Sequence, residues 1–135
     1  MRILLPLLPL VAFATLGCSS TPPTGGEAVA SRTEELNDVA GLLRMSSGPG
    51  GKGPGKVQDL AKFESGYPAG YAAIKSGDIV VVWGVTMGGE GDTGTEEVVA
   101  YDKKVPTDGG MVLLVNGKVK QMTAAEFAAA PKAKK

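Results

Sequence analysis

Apolar residues Leu36, Val39, Ala40 and Leu43 recur at helical spacing behind Ser31-Arg32-Thr33-Glu34, which has the S-x-x-E form of a capping box. This predicts a helix over about 32–45 whose apolar stripe needs a partner surface, because so short a helix is marginal alone. Val57, Leu60, Ala61 and Phe63 suggest a short helical turn, and a second turn over 69–75 would end at Gly77. Then the periodicity changes. The run from Ile79 to Val85 is β-branched and aromatic, which predicts a strand buried on both faces at the centre of a sheet. A second strand is expected over 97–101. The segments 111–115 and 118–122 flank Asn116-Gly117, which predicts a two-residue type I′ hairpin with Val119 opposite Leu114 and with Lys118 and Lys120 on the other face. Thr123-Ala124-Ala125-Glu126 forms another capping box, opening a short helix that Pro131 halts and Phe127 docks. The expected fold is α+β: an N-terminal helix packed on a small antiparallel sheet of about four strands, closed by a hairpin and a short helix.

The segments between these elements are rich in glycine, proline and small polar residues. Residues 18–31 read as a tether, 32–129 as one domain and 130–135, with Lys132, Lys134 and Lys135, as a disordered, solvated tail. Residues 46–56, SSGPGGKGPGK, suggest an open, flexible loop, and the stretch 88–94 a glycine-rich turn. Of 135 residues, only enough for one small core is left once an export segment is removed.

The first eighteen residues carry that segment. Arg2 precedes an apolar run from Ile3 to Leu16, then small Gly17 and the sole cysteine, Cys18, the order of a secretory signal. The run is interrupted by Pro6 and Pro9 and falls short of the ~20 residues a membrane span needs. Thr15-Leu16-Gly17-Cys18 resembles the lipobox of bacterial lipoproteins, with Thr15 where that family usually has leucine. The resemblance implies removal of residues 1–17 as a signal peptide, acylation of Cys18 and anchorage of the chain to the membrane through that lipid. Lipidation would also use up a lone thiol in an oxidising compartment. Ser19 and Ser20 after the cysteine match the family's usual sorting to the outer membrane, facing the periplasm.

Charge and chemistry narrow the function. With Arg2 gone the chain has one more acidic than basic side chain, so it offers no field for nucleic acid. There is no histidine, which removes Ser–His and Cys–His nucleophiles and the usual zinc ligand sets, and no cofactor or metal is expected. Gly50 to Lys56 spells G-x-x-x-x-G-K, yet Val57 stands where a magnesium-binding hydroxyl belongs and no strand precedes, so no nucleotide is expected. Gly89 to Gly94 spells G-x-G-x-x-G but leads to a strand rather than a helix. Glu90, Asp92, Glu96 and Glu97 lack an alternating calcium-loop register and read as a solvated acidic loop. Tyr67, Tyr71, Trp83 and Tyr101 are expected in the core.

Val99-Ala100-Tyr101-Asp102, the run from Gly109 to Lys120, Met122-Thr123 and Glu126-Phe127 resemble the C-terminal end of planctomycete pilin-like secretion proteins, known for an H-x9-DG motif. Pro106 stands at the histidine position and Asn116 at the aspartate position, and a lipobox replaces the long pilin helix. The resemblance implies a pilin-like α+β domain in a small envelope lipoprotein. The expected function is a lipid-anchored, non-enzymatic binding or structural module whose partner is an envelope protein or cell-wall polymer. The loops 46–56 and 88–95 are its expected contact surfaces. Two alternatives stand beside it: an accessory of a pilus-like or type II secretion system, and a small envelope hydrolase using carboxylates such as Asp78, Glu96 or Glu97.

Overall fold

The structure, a computed structural model, describes residues 25–48, 51–88 and 95–135. Among these residues four α-helices, one 3-10 helix and a four-stranded antiparallel sheet follow in the order α1 (Gly25–Ser46), the 3-10 helix (Val57–Gly66), α2 (Pro68–Ser76), β1 (Ile79–Val81), β2 (Val98–Asp102), α3 (Val105–Asp108), β3 (Gly110–Leu114), β4 (Val119–Met122) and α4 (Ala124–Ala129). This is the α+β layout expected, with strand order β1-β2-β3-β4.

Helix α1 starts at Gly25, inside the expected tether, so Ser31 lies within the helix and caps nothing. The residues 27–35 are mostly strong helix formers, Glu27 meets the positive end of the helix dipole, and Thr33 bonds back to the Val29 carbonyl at 2.8 Å. Arg32 bonds Glu35 on the same helix and reaches Asp102 at 2.8 Å, tying this early part of α1 to the end of β2. Burial begins only at Leu36, from which Val39, Ala40, Leu42 and Leu43 face the sheet.

That first sheet face presents Ile79, Val81, Ala100 and Leu113, and α2 and the 3-10 helix close the layer with Tyr71, Ile74 and Leu60. Removing one leucine side chain from water stabilises such a core by about 1.5–3 kcal/mol. Helix α2 ends at Gly77 as expected, in left-handed conformation with φ 81°. The opposite face is also covered: Val98, Val112, Leu114 and Met122 lie under Val105 and Phe127. The Tyr101 and Phe127 rings sit 4.7 Å apart there. Thr123 caps α4 as read from its box, its hydroxyl accepting from the Glu126 amide at 3.2 Å while its own amide donates to the Glu126 carboxylate at 2.7 Å.

Long-range pairing altered four expectations. First, β1 is an edge strand of three residues, not the sheet centre, and Val80 is 37% exposed. The chain leaves the strand row at Gly84 (φ 83°), so Val85 and Met87 reach the core from an irregular segment. Trp83 is half-buried against that same core. The centre is β2–β3, where a bulge between Val98 and Ala100 lets Val98, Val99 and Ala100 all be buried.

Second, the hairpin is one residue out of the expected register. Leu113, not Leu114, faces Val119, and the Leu114 amide donates to the Lys118 carbonyl at 2.9 Å across a three-residue loop. Asn116 keeps a negative φ and only Gly117 is positive (84°), so the turn is a type I turn with a glycine bulge rather than type I′. The observed register puts Leu114 with Val112 and Met122 on the α4 face and Val119 with Leu113 on the α1 face, which the two covered faces require.

Third, residues 51–56 are docked rather than open. Pro54 is buried, its carbonyl accepts from the Gly84 amide at 2.8 Å, and Gly53 lies flush on the Val85 backbone. Fourth, the expected disordered tail is seated in the sheet: the Val98 amide donates to the Pro131 carbonyl and the Ala133 amide to the Val98 carbonyl, both at 2.9 Å. Ala133 is 5% exposed.

Candidate functional site

The lipidation residue Cys18, the signal peptide and the first part of the tether lie outside the described residues, as do Gly50, Glu90, Asp92 and the whole of Gly89 to Gly94. What the structure places is the domain those segments join. Helix α1 has 22 residues and therefore spans about 33 Å. Its first half lies beside Asp102 and Lys104 at one end of the sheet, along a shallow cavity of about 220 Å³. Its last turn lies at the other end, where Gly88 reaches the β3–β4 turn and Thr86 bonds Gly51.

Arg44 organises that far end. It sits in the last turn of α1, where a cation complements the helix dipole. Its Nε donates to the Gly88 carbonyl at 3.4 Å, and its guanidinium lies across Gly117, 2.0 Å from where a Cβ would stand. Gly117 is required by its φ of 84°, and a side chain there would push the Arg44 guanidinium aside. The Gly88 amide donates in turn to the Val115 carbonyl at 3.0 Å, and Thr86 bonds the Gly51 carbonyl. Ser47, Gly51, Gly88 and Gly117 thus flank one surface, with Lys52, Lys56 and Lys118 exposed on its segments. Asn116 is buried in the turn, its Oδ1 accepting from the Lys118 amide at 3.1 Å. Arg44 carries no signal in the sequence, because a basic residue near a helix end is ordinary and its partners lie more than forty positions away.

The carboxylates named as hydrolase candidates are not brought together. Asp78 precedes β1 and its carbonyl accepts from the Lys103 amide beyond β2, whereas Glu97 precedes β2 at the other end. A five-residue strand separates them, roughly 15 Å, well beyond the ~5–9.5 Å of paired glycosidase carboxyls. Glu96 adjoins Glu97, exposed, at that same end. Among the described residues no group of three or more potential ligands converges for a metal ion.

Two carboxylates have shifted affinity for protons. A hydrogen bond from the Lys103 ammonium, then one from the Ser76 hydroxyl, holds Asp78 below its ordinary 3.8. The Thr123 amide, then the Thr123 hydroxyl, holds Glu126 below its ordinary 4.5. Glu126, with Asp108, Gln121 and Thr123, lines a cavity of about 440 Å³ between α3 and α4, but its charge is committed to capping the helix. Since both groups bind protons less readily when folded, their contribution is complete above those ordinary values and is lost as pH falls through the lowered ones. Melting temperature should therefore be level from neutrality to about pH 5 and fall below it, and Asp78→Asn should flatten the acid limb. A melting series in pH checks this.

Comparison with protein-family models, with curated proteins and with solved structures finds no match to this chain. No helix among the described residues is long and apolar enough to cross a membrane.

Proposed function

We propose that this chain is a lipid-anchored envelope protein that uses α1 as a rigid spacer to present a recognition surface away from the membrane. The observation that supports the reading is the polarity of α1. Its N-terminus follows Cys18 after only six intervening residues, whereas its C-terminus, about 33 Å away, carries the surface flanked by Ser47, Gly51, Gly88 and Gly117. Loops fixed on a rigid scaffold are where recognition concentrates, and here Arg44 does the fixing. The partner class is an envelope protein or a cell-wall polymer, and the module acts by binding rather than by chemistry.

The test is position-specific photocrosslinking in intact envelopes, with the probe at Lys52 or Lys118 on the far surface and at Glu27 near the tether. Discrete protein or polymer adducts are expected from the first two positions, and lipid-proximal adducts from Glu27. A far surface without adducts, in cells that make the protein normally, would refute the reading.

A second reading, an accessory of a pilus-like or type II secretion system, draws on one feature. The part of α1 from Gly25 to Glu35 contains no buried residue and leaves Val29 41% exposed, a helix segment available to a neighbouring subunit. Unchanged export of proteins in a deletion strain would count against it.

A further inference from the structure

Val98 is 0% exposed and opens β2, and it pairs with Leu114 of β3 on one side. Its amide and carbonyl both point to the other side, into the row that β1 occupies further along. There β1 has already ended at Val81 and the chain turns away at Gly84. A gap one strand wide is left beside a buried residue whose backbone groups demand partners. Pro131–Lys135 passes through it in the parallel sense, joined by a single bridge of two 2.9 Å bonds to Val98.

The way the gap is filled reads as recognition. Lys132 places its ammonium 3.9 Å from the centre of the Phe127 ring and donates to the Phe127 and Ala130 carbonyls, satisfying the end of α4. Ala133 is 5% exposed and buries its methyl group in the core on the α1 side of the sheet. The methylene stem of Lys135 lies on Gly84, within 3.2 Å of where a Cβ would be. The segment that performs this is attached through Ala130, extended at φ −68° and ψ 138°, and Pro131, a stiff extended joint. Apart from these contacts it is exposed at Pro131, Lys134 and Lys135.

From this arrangement we infer that the Val98 edge of β2 is a strand-addition site for an extended basic peptide of the pattern Pro-Lys-Ala-x-Lys, held closed here by the chain's own copy of that pattern. Main-chain bonds to Val98 supply register, the buried alanine position disfavours larger side chains, and Lys132 selects charge through two carbonyls and the Phe127 ring, the division of labour found where a peptide adds to a sheet edge. A partner carrying such a segment would displace Pro131–Lys135 and leave the four-stranded sheet in place. The inference does not depend on the lipid anchor or on the far surface.

The experiment uses the full chain carrying Ala133→Arg, which expels its own segment, and a synthetic peptide with the sequence of residues 129–135. By NMR the peptide should bind the variant at least about tenfold more tightly than the parent, whose tethered segment competes at an effective concentration near millimolar. Shifts should centre on Val98 and the end of α4, and the same peptide with arginine for alanine should not bind. A folded variant that binds no peptide overturns the inference, and so does a variant that loses its fold altogether, since the segment would then be integral to the core. Hydrogen exchange on the unaltered chain gives an independent reading. The Val98 and Ala133 amides should exchange at least about a hundredfold faster than that of Val112, by local opening. Exchange of all three together overturns the inference as well.

Discussion

Gly70→Ala should lower the stability of the domain by about 2 kcal/mol, seen as a fall of more than about 5 °C in melting temperature. Gly70 is the third residue of α2 and is buried where that helix meets α1. A Cβ there would stand 2.6 Å from the Asp38 Cβ and 2.7 Å from the Val39 amide nitrogen, both held by α1 itself. Neither can yield without moving the helix. The same approach lets the Gly70 amide donate to Asp38 Oδ2 at 3.2 Å, so a carboxylate on one helix satisfies the first turn of the next. In a free helix alanine would be favoured over glycine by about 0.5–1 kcal/mol, so a destabilised variant would show that close approach outweighs propensity. A stabilised variant would mean that α1 and α2 lie further apart than described.

Leu43→Ala should cost about 2–5 kcal/mol, a large share of the ~5–15 kcal/mol that holds a domain of this size together. Leu43 is 1% exposed in the last stretch of the α1 stripe, among the residues that meet the first face of the sheet. Its loss leaves a cavity beneath the turn of α1 that carries Arg44. Val29→Ala, on the exposed early part of the same helix, should change stability by less than about 0.5 kcal/mol. Paired chemical denaturation of the two variants separates the stripe that packs from the part that spaces. Equal effects would remove the distinction on which the spacer role rests.

The elements legible in the sequence were those set by local chemistry. The apolar stripe of α1, the Gly77 helix end, the Thr123–Glu126 box and the existence of the β3–β4 hairpin each depend on residues within a few positions of one another. The features decided across the fold were not legible. An apolar run such as 79–85 has the same composition whether it is a central strand or an edge strand followed by a core-lining turn, and Gly84 with its Pro54 partner decided between them. The hairpin register followed from which face α1 and α4 cover, a fact absent from Asn116-Gly117 itself. Residues 130–135 look solvated by composition, yet the unpaired backbone of Val98 gives them a place. For the candidate site, the two glycine-rich loops were visible as loops, but not that Arg44 and Gly117 bring their flanks to one end.

Attachment at the opposite end of α1 from that surface is the claim on which the proposed function stands. It is tested most directly by mass spectrometry of the first peptide of the protein isolated from membranes. The expected product is a chain beginning at Cys18 with a diacylglycerol thioether on its sulfur. A chain that begins elsewhere, or a Cys18 that carries a bare thiol, would contradict it.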